Sequence, residues 1–217
     1  MKLPPLARKR TDPFVCAVLT IGSIFLTARI NRFAGWFLNI HAPQVSWIAT
    51  TAIPSFLAIA CLYALFGDST ALRWPRLRTT EWHRASRISA TWLVLWIAGS
   101  VIGAISAGHW IVYARGWPSI AAFLAFGPLG EELLFRGLVY DKVRIIWRAT
   151  PVPAICLSTA CFSLHHIELQ AAPHGFLLAQ VLFTIPMGVV FAVLRERTRS
   201  LWPGFLVHVV TNLPATL

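Results

Sequence analysis

A chain of 217 residues that is 57% hydrophobic and only 12% charged falls far short of the roughly 25% charged residues usual in a soluble domain. A mean hydropathy of +0.66 points instead to an integral membrane protein, and one helical bundle accounts for the length. The net charge of +11 raises nucleic acid as a partner, but the basic residues lie between apolar runs, not on one face or in a tail, which speaks against it.

The chain opens on Lys2, Arg8, Lys9 and Arg10 ahead of an apolar run. No small-x-small cleavage site follows, so the run is expected to be a first span and not a signal peptide. A span needs about 20 largely apolar residues, with a range of about 17–25. Seven stretches qualify or nearly qualify: Phe14–Ala28, Val45–Phe66, Ile88–Tyr113, Trp117–Tyr140, Val152–Ile167, Phe176–Leu194 and Leu201–Leu217. The Asn31–Gln44 stretch, with Trp36, Phe37 and His41, suits the membrane interface. Gly67–Arg87, the longest polar segment, reads as a cytoplasmic loop or surface helix whose arginines contact anionic lipid. Cys16, Cys61, Cys156 and Cys161 all lie in apolar runs, read as small buried side chains, and form no disulfide framework.

Lysine and arginine set the orientation. With the N-terminus cytoplasmic, fifteen of the nineteen fall in inner segments and three (Arg29, Arg32, Arg115) in outer ones, while Arg136 lies within a span. That bias alternates in step with seven spans. Trp74, Trp82, Trp110, Trp117, Trp147 and Trp202 fall near span ends, where interfacial tryptophans belong. The expected fold is therefore all-α: a polytopic bundle of about seven transmembrane helices with a cytoplasmic N-terminus.

Three of these spans contain ionisable groups that cost several kcal/mol at bilayer depth, roughly 2.5–3.5 each on insertion scales. The first is Glu131-Glu132-Leu133-Leu134-Phe135-Arg136. Residues four apart share a helix face, so Glu132 and Arg136 can form an ion pair. Glu131 is turned by about 100° and is free to point elsewhere. Pro128 just before them removes a helix hydrogen bond and tends to kink the helix, which would help admit water. The second is Phe162-Ser163-Leu164-His165-His166, where the adjacent histidines point to different sides and only one can face the glutamates. The third is His208-Val209-Val210-Thr211-Asn212, with the imidazole and the amide four apart on one face. At 1.5 Å per residue, Glu131 lies about 13 Å, His166 about 20 Å and His208 about 10 Å from the cytoplasmic end of its span. These depths are compatible with one site.

A glutamate–histidine pair can hold and deprotonate a water molecule. Donors such as a histidine and an asparagine can stabilise the tetrahedral oxyanion that follows attack on a carbonyl. Each group singly is as well explained by packing or ion pairing as by chemistry. Glu131, His166, His208 and Asn212 together, spread over three spans, favour hydrolysis of a peptide bond within the membrane.

Pro128-Leu129-Gly130-Glu131-Glu132-Leu133-Leu134-Phe135-Arg136-Gly137 resembles the EExxxR motif of the CAAX-processing and bacteriocin-processing (CPBP, or Abi) membrane proteases. Phe162 to His166 is similar to their FxxxH motif, and His208 to Asn212 to their HxxxN/D motif. The resemblance covers roughly residues 118–217, which it marks as the catalytic helices. Residues 1–117 would be N-terminal spans and the cytoplasmic loop of the same membrane domain. It implies a glutamate-dependent intramembrane endopeptidase in which Glu131 and His166 activate water, His208 and Asn212 form the oxyanion hole, and Glu132 and Arg136 support the site. His165 is a departure, because a small or apolar residue is common there in the family. The implied substrate is a membrane-embedded or lipidated protein or peptide, and the compact chain looks like the bacterial, inner-membrane type. No cofactor is implied, although zinc stays chemically possible because histidine and glutamate are zinc ligands.

The other protease classes lack their signatures: there is no HExxH, no GxSG, and Tyr140-Asp141 has no GxGD partner. Two readings from other classes remain. One is a catalytically inactive binding or bacteriocin self-immunity protein of the same fold. The other is a proton-coupled transporter, against which stands the lack of an internal repeat.

Overall fold

The structure, a computed structural model, describes residues 47–107, 117–148, 150–168 and 174–216. The expected first span Phe14–Ala28, the Asn31–Gln44 stretch, Cys16 and Trp110 lie outside them. All described elements are helical, and among the described residues there is no strand.

Helix α1 spans Trp47–Phe66 and helix α2 spans Thr79–Ala107. Between them, a 3-10 turn at Ser69–Leu72 is capped by Asp68, whose carboxylate accepts from the Thr70 N–H at 2.9 Å. Helix α2 begins nine residues before the expected third span and takes over the end of the polar segment. Its start is fixed by Glu81, whose Oε2 accepts from the Arg78 backbone N–H at 2.9 Å, half of a capping box. Within α2, Thr80–Ile102 is long and apolar enough to cross a membrane, and only 11% of its most apolar window is buried inside the protein. That exposed apolar surface suits lipid.

The expected fourth span is one helical rod over residues 117–146, here α3, built of five consecutive segments. They are Trp117–Ala121, the π-helical Ala122–Phe126, Gly127–Glu131, the π-helical Glu132–Tyr140 and Asp141–Ile146. The joints at Ala121, Phe126, Gly127, Glu131, Glu132, Tyr140 and Asp141 all keep right-handed helical dihedrals, so the rod is continuous. The first π-turn ends at Phe126, two residues before Pro128, and the Gly127 N–H bonds back five residues to Ala122. A widened turn there gives the proline ring room against the preceding carbonyl, which a tight α-turn would not. Two π-helical stretches in one rod are unusual, and such stretches are frequent at functional sites.

Helices α4 (Val152–Glu168), α5 (His174–Thr198) and α6 (Trp202–Asn212) complete the described bundle, followed by a 3-10 turn at Leu213–Thr216. Helix α4 packs along α5 and against the second π-stretch of α3; α6 packs on α5, and α2 on both. The core sits around α3, with Leu134, Phe135, Val139, Phe162, Phe191 and Leu194 fully buried. Of the three cysteines described, Cys61 and Cys156 are exposed, not buried as expected, while Cys161 is half-buried; all three are free thiols. Helices α1 and α4 match expected spans closely, and α5 runs four residues past its expected end. Helix α6 is shorter than the expected seventh span, because Pro214 follows closely and the chain tightens into the 3-10 turn.

Candidate active site

Glu131 closes an α-helical segment of α3 and Glu132 opens the π-helical one. The two carboxylates stand in different surroundings. Glu132 is 1% exposed, and its Oε1 lies 3.1 Å from Arg136 Nη1. Glu131 keeps 20% of its side chain exposed. Arg136 itself is fully buried. Its guanidinium lies over the Phe162 ring at 4.4 Å and over the Phe191 ring at 5.1 Å, and its Nη2 donates to the Gly188 carbonyl at 3.2 Å. A cation in the corner of two inclined rings is stabilised by their quadrupoles in a setting that water does not reach.

His208 of α6 enters between the glutamates. Its Nε2 is 3.7 Å from Glu131 Oε2 and its Nδ1 is 3.5 Å from Glu132 Oε1. The ring rests on Phe191 at 4.8 Å, and Phe162 meets it edge-on at 6.0 Å. Helix α6 is held in this register from outside. Trp92 Nε1 donates to Thr211 Oγ1 at 3.1 Å, and Trp96 Nε1 donates to the Thr211 carbonyl at 2.8 Å.

The two adjacent histidines differ. His165 is 4% exposed, packs on the Phe135 ring at 5.5 Å, and has no protein partner for Nδ1. His166 is half-buried, and its Nδ1 stands 2.8 Å from the Phe162 carbonyl. A carbonyl can only accept, so Nδ1 carries the proton and Nε2 presents its lone pair. The Phe162 ring, 4.7 Å from His166, is therefore shared by His166, Arg136 and His208.

Two features of the geometry bear on the expected roles. Glu131 contacts His208, and neither glutamate lies within 4.0 Å of His166. Two groups that share one bridging water stand farther apart than two that touch, so direct contact is not what water activation requires. Asn212 does not stand free beside His208. Its Nδ2 donates to the Phe123 carbonyl at 3.2 Å, in the first π-stretch of α3, which leaves the second amide hydrogen for another acceptor. Several buried polar atoms here have no protein hydrogen-bond partner: Glu131 Oε2, Glu132 Oε1, Arg136 Nε and Nη1, and His208 Nδ1. Such atoms are common where a site handles water or substrate. Among the described residues, no group of three or more His, Cys, Asp or Glu side chains is arranged to hold a metal ion.

Sequence reasoning found no role for Phe191, Gly188 or Gly204. The glycines admit close packing. A Cβ at Gly188 would stand 3.0 Å from Thr159 Cγ2 and 3.3 Å from Phe162 Cδ1, and one at Gly204 would stand 2.8 Å from Glu132 Oε2. Spacing alone could have flagged Gly204, one turn before His208 on the same face.

Residues 113–214 match the family model described as type II CAAX prenyl endopeptidase Rce1-like. This segment, which holds the whole site, is thus similar to the CAAX prenyl endopeptidases, in line with the resemblance of its three motifs. Among curated proteins and among solved structures, nothing matches the chain.

Proposed function

We propose that the chain is a multi-pass intramembrane endopeptidase of the cytoplasmic membrane, with seven spans and an inward N-terminus. It would hydrolyse a peptide bond of a membrane-embedded or lipidated protein or peptide with Glu131 as general base. The observation that carries the reading is the division of the two glutamates. Glu132 is locked against Arg136, whereas Glu131 keeps one-fifth of its surface open beside His208. A family match over the same helices supports it.

The chemistry closes without a covalent intermediate. A water molecule donates one hydrogen to the Glu131 carboxylate and the other to the His166 Nε2 lone pair. Its oxygen attacks the scissile carbonyl carbon while Glu131 takes the first proton. The carbonyl π bond becomes an oxyanion, stabilised by His208 and by the Asn212 amide hydrogen that Phe123 does not use. Collapse restores the carbonyl, breaks the C–N bond, and returns the proton from Glu131 to the leaving amine. Both groups end as they began. Glu132 and Arg136 act behind the site by holding His208.

The test is cleavage of an internally quenched peptide bearing a farnesylated cysteine by the full chain in lipid nanodiscs. Glu131→Gln and His166→Ala are expected to abolish cleavage at unchanged expression and unfolding temperature. If both cleave as wild type does, the hydrolase reading fails and a binding or immunity role on the same fold takes its place.

A further inference from the structure

Both nitrogens of His208 face carboxylates, and one of those carboxylates is held from behind. Arg136 Nη1, Glu132 Oε1, the two nitrogens of His208 and Glu131 Oε2 form a file with steps of 3.1, 3.5 and 3.7 Å. Any displacement of Glu132 therefore reaches Glu131 through the imidazole. The other Glu132 oxygen, Oε2, faces the backbone of α6 at Gly204, where a Cβ would stand 2.8 Å from it. Gly204 is buried in the first turn of α6. Packing between helices does not demand a glycine there. The nearest apolar atom to that Cβ would be Phe191 Cβ, at an ordinary 3.9 Å. Only the Glu132 carboxylate does.

We propose that Gly204 is a positioning residue: its bare Cα is the seat in which the Glu132 carboxylate rests beneath His208, and through His208 it sets where Glu131 stands. The inference rests on the proposed role of Glu131. A methyl at 204 strikes the tip of a side chain, not a backbone, so Glu132 gives way and the fold survives. Its carboxylate then pivots away from His208 while staying against Arg136. Among the described residues, Glu131, Glu132 and Arg136 of α3 are the charged groups around His208, while α4 and α5 present Phe162 and Phe191 to it.

The experiment uses the full chain in nanodiscs, labelled with ¹⁵N-histidine and read at one pH, with His208 resonances assigned by their loss in His208→Gln. Gly204→Ala is expected to unfold within a few degrees of wild type, to move the His208 imidazole resonances, and to slow cleavage of the quenched farnesylated peptide. A misplacement of this size costs up to about a hundredfold. Adding Glu132→Asp, which shortens the carboxylate arm by one methylene, should recover part of the rate and part of the spectral shift. A Gly204→Ala spectrum that superimposes on wild type overturns the proposal, as does a double variant whose loss is the product of the single losses. An active Glu131→Gln overturns the hydrolytic reading and with it Gly204's part in catalysis. An inactive Glu131→Gln beside a silent Gly204→Ala overturns the seat alone.

Discussion

Arg136 is the residue on which most of the site leans. It is fully buried, set against two phenyl rings, bonded to a backbone carbonyl and paired with Glu132. Removing one member of a buried pair leaves an uncompensated charge, which costs about 3–5 kcal/mol. Arg136→Met should therefore lower the unfolding temperature sharply, and Arg136→Met with Glu132→Gln should recover part of the loss. Additive losses in that double-mutant cycle would mean that the pair is not coupled. The adjacent histidines separate on similar grounds. His165 packs against Phe135, so His165→Ala should cost stability while sparing turnover at a permissive temperature. His166 has its tautomer set by the Phe162 carbonyl, so His166→Ala should cost turnover and spare stability. The reverse pattern would place the water beside His165.

Between elements, glycine and tryptophan set the spacing. At Gly188, α4 and α5 come so close that a methyl group would press on Thr159 and Phe162, and the ring it presses on touches Arg136, His166 and His208. Overpacking of this kind costs about 1–3 kcal/mol. Gly188→Ala is expected to lower both the unfolding temperature and the turnover, and an unchanged variant would show that the contact relaxes freely. The grip of α2 on α6 is polar instead. Trp92→Phe keeps an aromatic ring but loses part of the indole's volume and the bond to Thr211 Oγ1, a hydroxyl that still donates to the Val207 carbonyl at 2.8 Å. The lost bond contributes about 0.5–1.5 kcal/mol and the lost volume adds to it, read together as a fall in the unfolding temperature. The end of α5 was hidden from sequence reasoning for a local reason. The residue that turns the chain with a positive φ of 56° is Arg199, not the glycine that usually marks such a stop.

Across the whole bundle, charge collects where the end of α3 meets the turn between α5 and α6. Arg195 pairs with Asp141 at 2.7 Å, and Glu196 takes Arg144 at 3.3 Å, Arg199 at 3.2 Å and the Tyr140 hydroxyl. Nearby, the Leu201 N–H donates to the Ala71 carbonyl at 2.9 Å and Ser200 Oγ to the Arg73 carbonyl at 2.8 Å, tying the 69–73 turn to the same end. Burial pushes the Glu196 carboxyl up, but the hydrogen bonds from Tyr140 and Arg144 and the charges of Arg199 and Arg144 outweigh it and hold it below the usual carboxylate range. A carboxylate depressed in the folded state stabilises the protein above its unfolded pKa, about 4.3 for glutamate. That contribution is lost as the pH falls through the depressed value. Glu196→Gln should thus lower the unfolding temperature at pH 7, with the gap to wild type closing below about pH 4. A gap that persists in acid would assign the effect to packing.

What the sequence determined by itself was the helical class, most of the described helix positions, and the short-range geometry. Hydropathy and helical period are local properties, so α1 and α4 could be placed closely, and the spacing of Glu132 and Arg136 was enough to anticipate their pair. The three polar motifs were legible because ionisable groups are costly inside apolar helices and stand out against them. Which motif touches which was decided only by the tertiary structure. The crossing of α6 over α3 brings His208 to both glutamates, sets His166 beyond direct reach of either, and spends one Asn212 hydrogen on the Phe123 carbonyl. What the glycines at 188 and 204 do was likewise decided there, because their role is the atoms they lack, and those matter only once another helix lies against them.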